Sequence, residues 1–133
     1  MSECGKRAIL CVDDEPLILI SLIQELKNAF KDDFVYEQAL NAEMALETVA
    51  ELEQEGIRLV LVLSDWLMPG MRGDEFLDRI SREHPTIKTV MITGHADVNA
   101  VARIGHIDSV QAILTKPWDP DELIAIIRAA LPD

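Results

Sequence analysis

Leu59-Val60-Leu61-Val62-Leu63-Ser64-Asp65-Trp66-Leu67-Met68-Pro69-Gly70-Met71 decides how this chain is read. Its first five residues are apolar without alternation, the mark of a strand covered on both faces and therefore central in a parallel sheet. Ser64-Asp65 then sets a carboxylate at the carboxyl end of that strand, and Met68-Pro69-Gly70-Met71 turns the chain away.

Outward from this stretch, strands and helices alternate to both ends. Toward the N-terminus, Arg7–Val12 reads as a strand and Pro16–Phe30 as a helix with Leu17, Ile20, Ile23 and Phe30 among its apolar positions. Phe34–Gln38 is a weaker strand. Asn41 is an N-cap for a helix through Glu55, with Met44, Ala45, Val49 and Leu52 as its apolar set and Gly56 ending it. Toward the C-terminus, Asp74–Glu83 is a helix carrying Phe76, Leu77 and Ile80, closed by His84-Pro85. Lys88–Ile92 is the fourth strand, Asp97 caps a helix over Val98–Ile104, and Gln111–Thr115 is the fifth strand. Asp119-Pro120-Asp121-Glu122 opens the last helix with capping-box spacing and proline at the first helical position; Leu123, Ile126, Ile127 and Ala130 follow.

Five βα units in a row predict an α/β fold: a doubly wound, five-stranded parallel sheet with five helices distributed over both faces. Such sheets bind ligands outside the carboxyl ends of their strands. No linker, repeat or low-complexity stretch interrupts the pattern, so residues 1–133 are expected to form a single domain.

Composition narrows the function. The net charge of −12 disfavours nucleic acid as a direct partner and suits a protein partner with a basic patch. No apolar run is long enough to span a membrane, and the polar start Met1-Ser2-Glu3-Cys4-Gly5-Lys6-Arg7 lacks the core of a secretory signal, so a cytoplasmic location is expected. Cys4 and Cys11 are read as reduced and structural.

The chemistry-bearing residues sit at strand ends. Asp13-Asp14 follows the first strand, Asp65 the third, Thr93-Gly94 the fourth and Lys116-Pro117 the fifth. Taken singly each has a plain explanation: Asp14 can cap a helix, Asp65 and Thr93 can stabilise turns, and Lys116 can be a solvated surface residue. Taken together, three carboxylates, a hydroxyl and an ammonium at one sheet edge form an inventory for a divalent cation and a phosphoryl group. All-oxygen donors point to Mg²⁺ rather than zinc. Gly94 removes a side chain where the phosphoryl group must enter, and Pro117 restricts Lys116, with a cis bond there an option. Trp66 and Trp118 flank the site. His84, His95 and His106 are scattered, and there is no Walker A loop or nucleophile elbow, which removes nucleotide hydrolysis, zinc chemistry and serine hydrolysis.

At these residues the chain resembles the response-regulator receiver domain of bacterial two-component signalling, over about Arg7 to Leu131. Asp13, Asp14, Asp65, Thr93 and Lys116 match the family's hallmark positions in order, and Ser64–Met71 is close to its phosphorylation loop. The resemblance implies the strand order 2-1-3-4-5 of a flavodoxin-like receiver fold, and a switch rather than a turnover enzyme. Asp65 would accept a phosphoryl group from a sensor histidine kinase or a histidine phosphotransfer protein. Asp14, Asp65 and the Leu67 carbonyl oxygen would bind Mg²⁺ directly, and Asp13 mainly through water. Thr93 and Lys116 would hold the phosphoryl oxygens and alter the surface of the fourth helix, fifth strand and fifth helix, for a downstream effector, an attached output domain or a homodimer.

Two positions depart from the pattern. Ile113 stands where the family often has a switching Tyr or Phe, and Leu67 and His95 stand where dephosphorylation is tuned. Ile113 is the support for an alternative, a phosphorylation-independent interaction module. A small phosphohydrolase fits less well, because the Asp-x-Asp pair after the first strand and a cap domain are both lacking.

Overall fold

The computed structural model describes residues 6–66, 70–71, 73–94 and 110–131. The elements run β1 (Arg7–Val12), α1 (Pro16–Phe30), a 3₁₀ turn (Lys31–Asp33), β2 (Val35–Ala39), α2 (Ala42–Glu55), β3 (Arg58–Asp65), α3 (Gly73–Glu83), β4 (Lys88–Thr93), β5 (Val110–Thr115) and α4 (Pro120–Ala130). All strand pairings are parallel, and the order is β2-β1-β3-β4-β5, as predicted. Four α-helices lie among the described residues; the one expected over Val98–Ile104 falls outside them.

Period-two alternation in β1 divides the core. Ala8, Leu10 and Val12 point to one face with Ala45, Val49 and Leu52 of α2 and Phe76, Leu77 and Ile80 of α3. Ile9 and Cys11 point to the other face with Leu19, Leu22 and Leu26 of α1 and Leu123 and Ile127 of α4. β3 is buried along nearly its whole length, which explains its unbroken apolar run. Its alternation breaks once: Val60 and Leu61 both belong to the α1–α4 side, where pairing with β1 slips from Ala8↔Leu59 to Ile9↔Leu61. The burial of Cys11 raises its thiol above the ordinary range, consistent with a structural, unreactive cysteine. Cys4 lies outside the described residues.

Two helices differ from the reading of their apolar positions. Leu17 and Ile20 are 80% and 61% exposed, and the buried stripe of α1 is Leu19, Leu22, Leu26 and Phe30. Nearly every position in Leu17–Ile23 is apolar, so periodicity alone does not choose the face. Met44 of α2 is exposed as well.

The caps agree more closely. Asn41 Oδ1 accepts the Met44 N–H at 2.8 Å, and Gly56, in the left-handed region at φ 74°, closes α2. Asp119 caps α4 by accepting from Asp121 N–H rather than from Glu122. Replacing Asn41 by Ala is expected to cost about 1 kcal/mol, read as a lower urea midpoint at unchanged m-value. A change in m instead would mean that the substitution acts on the unfolded chain. Among the described residues no helix is long and apolar enough to cross a membrane.

Candidate functional site

The register carries the strand ends to one edge. Val12 pairs with Ser64 and Asp65 with Ile92, so Asp65 comes level with Asp13. Without the slip in β3, Asp13 would face Ser64 instead. Thr93 pairs with Thr115, which leaves Lys116 one step beyond. Amides just past or near the strand ends hold this edge together: Asp13 N–H to Ala39 O at 3.1 Å, Trp66 N–H to Ile92 O at 2.9 Å, and Lys116 N–H to Thr93 O at 2.8 Å.

Asp13 is buried, and its Oδ1 accepts the Glu15 N–H at 2.9 Å. Asp14 is exposed. It does not cap α1: the N-cap residue is Glu15, and no side chain makes a cap hydrogen bond there. One carboxylate oxygen from each of Asp13, Asp14 and Asp65 lies within 4.8 Å of the others. Lys116 Nζ reaches into this group, 2.8 Å from Asp13 Oδ2, 3.3 Å from Asp65 Oδ1 and 3.6 Å from Glu15 Oε1. The Lys116–Pro117 peptide bond is cis.

Among the described residues the charges at this site do not balance. Burial pushes the Asp65 carboxyl up to about 6; the Asp13 charge adds to this, and Lys116 only partly opposes it. Burial by itself would lower the Lys116 ammonium, but its hydrogen bond to Asp13 and the charges of Asp65 and Asp13 outweigh that and leave it raised. Among the described residues a single ammonium thus faces a crowded set of hard oxygen donors. That donor chemistry fits a divalent cation such as Mg²⁺, with Asp14 giving the cluster an exposed side.

Thr93 is buried at the end of β4, and Trp66 packs beside Asp65 against the α2–α3 side of the core. A Cβ on Gly94 would meet nothing within 4 Å, so crowding among the described atoms does not itself demand glycine there. Leu67 and His95 lie outside the described residues. Ile113 is partly buried against the α2–α3 core. Two contacts were not read from the sequence: Glu15 on Lys116, although it directly follows the Asp pair, and a 2.6 Å hydrogen bond from Trp118 Nε1–H to Glu25 Oε1.

The family model described as the response regulator receiver domain matches residues 9–128. The chain belongs to that family. Among curated relatives, the sensor kinase CckA of Brucella abortus is 31% identical over 127 residues, covering 96% of this chain and 13% of that protein. The nitrogen assimilation regulatory protein NtrX of Azorhizobium caulinodans is 36% identical over 129 residues, covering 92% of this chain and 26% of that protein. The receiver domain thus spans 13% and 26% of the lengths of these two relatives. A solved signal receiver domain of an HD domain-containing protein from Pseudomonas fluorescens matches with a TM-score of 0.83 at 30% identity, covering 94% of each chain. Membership places the chain among the receiver domains of two-component signalling, a family that uses Mg²⁺ at an acidic pocket and works with histidine kinases and output domains.

Proposed function

We propose that this receiver accepts a phosphoryl group on Asp65 from a phosphohistidine donor, with Mg²⁺ held by Asp14, Asp65 and the Leu67 carbonyl oxygen and by Asp13 through water. The observation that carries the reading is the Lys116 ammonium lodged between the buried Asp13 and Asp65 carboxylates, at 2.8 and 3.3 Å. In the transfer, the P–N bond of the donor breaks as an Asp65 oxygen bonds to phosphorus, and the electron pair returns to the imidazole nitrogen. The transition state is loose and spreads charge over the equatorial oxygens, so alignment and positive charge matter more than covalent help. Lys116 supplies a fixed positive charge and Thr93 a hydroxyl donor to those oxygens. Mg²⁺ supplies the remaining charge neutralisation.

A protein donor is supported by the surface around the Asp pair. The large apolar side chains left exposed among the described residues are Leu17, Ile20, Leu40 and Met44, all in or just after the β1–α1 and β2–α2 connections. On this reading the donor is a sensor histidine kinase or a histidine phosphotransfer protein. The output is a downstream effector, an attached output domain or a homodimer, and the chain is a switch with no external substrate to turn over. With Ile113 in place of an aromatic, coupling to the surface runs through Thr93 and the segment after it.

Intact mass after incubation with acetyl phosphate and Mg²⁺ tests this. One phosphoryl adduct is expected, absent with EDTA and absent in Asp65→Asn. Mg²⁺ alone should change Trp66 fluorescence and raise the unfolding temperature, since it binds the folded cluster and not the unfolded chain. No adduct from either acetyl phosphate or a phosphohistidine protein, with the Mg²⁺ response intact, would favour the phosphorylation-independent interaction module.

A further inference from the structure

The reach of Lys116 depends on the turn that carries it. On its N-terminal side the turn is fixed by the Lys116 amide, bonded to Thr93 O at 2.8 Å. On its C-terminal side the anchor lies two residues on. The indole N–H of Trp118 donates to Glu25 Oε1 at 2.6 Å, joining residues 93 apart in sequence, and the half-buried ring packs against the α1–α4 side of the core. Glu25 belongs to α1, the helix that begins directly after Asp13, Asp14 and Glu15.

We infer that Trp118 and Glu25 are positioning residues for Lys116: their hydrogen bond ties the turn bearing the ammonium to the helix that follows the acidic pair. Both ends of the Lys116–Asp13 contact then share one frame. Lysine is a flexible four-carbon stem carrying a point charge, so its placement depends on where its backbone is held. Indole has a single donor, and a bond to a carboxylate is shorter and stronger than one between neutral groups. Phenylalanine at 118 would keep much of the packing and lose the bond. Glutamine at 25 would keep an acceptor oxygen, whereas alanine would not.

The inference rests on the receiver reading for its effect on rate, and the test separates the two. Adduct formation from acetyl phosphate at saturating Mg²⁺ is followed in the full chain for Trp118→Phe, Glu25→Ala, Glu25→Gln and the double variant Trp118→Phe/Glu25→Ala. Trp118→Phe and Glu25→Ala should each slow the rate about tenfold, because a sub-ångström displacement of a charge-stabilising group is costly. The double variant should be no slower than either single one, and Glu25→Gln should recover most of the rate. Mg²⁺ affinity, read from Trp66 fluorescence, should stay within about twofold of wild type, since the carboxylates are untouched. Wild-type rates in Trp118→Phe, additive losses, or Glu25→Gln as slow as Glu25→Ala would each overturn the inference. A wild type that takes no phosphoryl group from any donor would overturn the receiver reading instead. The tie is then judged by urea unfolding: the loss of stability from Trp118→Phe must be smaller in a Lys116→Met background, and an equal loss refutes it.

Discussion

Asparagine in place of Asp65 is expected to abolish the phosphoryl adduct and, in EDTA at about pH 7.5, to raise the unfolding temperature. The first effect follows from removing the nucleophile. The second follows from the cost of keeping Asp65 ionised. Burial and the Asp13 charge push its carboxyl up to about 6, against about 3.9 in an unfolded chain. Between those values the folded state holds more protons than the unfolded one, so stability falls as pH rises through that window, and the full penalty remains above about pH 6. Allowing for residual screening by solvent, that penalty is about 1–2 kcal/mol, or roughly 3–8 °C in unfolding temperature for a chain of this size. Asparagine removes the charge and leaves the 2.8 Å Lys116–Asp13 pair in place. Thermal melts of both proteins should diverge at about pH 7.5 and converge below about pH 3, under the unfolded value, where Asp65 is mostly protonated in either state. The gain in stability on adding Mg²⁺ should shrink in the variant. A variant no more stable than wild type at the higher pH would mean that Lys116 already neutralises the cluster.

Much of this arrangement was legible because the fold repeats a simple unit. Unbroken apolar runs in β1 and β3, amphipathic segments between them and turn residues at their ends fix a parallel sheet, and the sheet alone puts Asp13, Asp65, Thr93 and Lys116 at one edge. What was not legible depends on choices the pattern leaves open. The segment Leu17–Ile23 is apolar almost throughout, so only packing against β1 and α4 selects Leu19, Leu22 and Leu26 as the buried stripe. The slip between Ile9 and Leu61 is invisible in a run where every residue is apolar, yet it brings Asp65 level with Asp13. The Trp118–Glu25 bond joins residues 93 apart, and neither residue type announces such a pairing. Ile113 shows the reverse case: the sequence identified the departure from the family's aromatic, and the structure places that side chain partly buried against the α2–α3 core.

Lys116→Met should give the largest loss of both rate and stability. Methionine roughly matches the length of the stem and carries no charge. Removing the ammonium leaves Asp13 and Asp65, both buried, without their cation, and breaking such a pair typically costs about 3–5 kcal/mol. The loss depends on conditions, because the uncompensated charge can be relieved in two ways. Protonation is one: without Lys116 the Asp65 carboxyl rises above its present value of about 6, so the variant's stability should fall more steeply than wild type as pH rises from about 6 to 8, and recover on acidification. Cation binding is the other: millimolar Mg²⁺ should restore a larger share of stability to the variant than it adds to wild type. Neither route replaces the ammonium at the phosphoryl oxygens, so adduct formation at saturating Mg²⁺ should stay about 10²–10³-fold slow, the usual consequence of deleting one preorganised charge-stabilising group. Urea unfolding at several pH values, with and without Mg²⁺, separates this account from a packing role. A loss of stability that is the same at every pH and untouched by Mg²⁺ would mean that Lys116 acts through its hydrocarbon stem, and the charge balance derived for the site would fail with it.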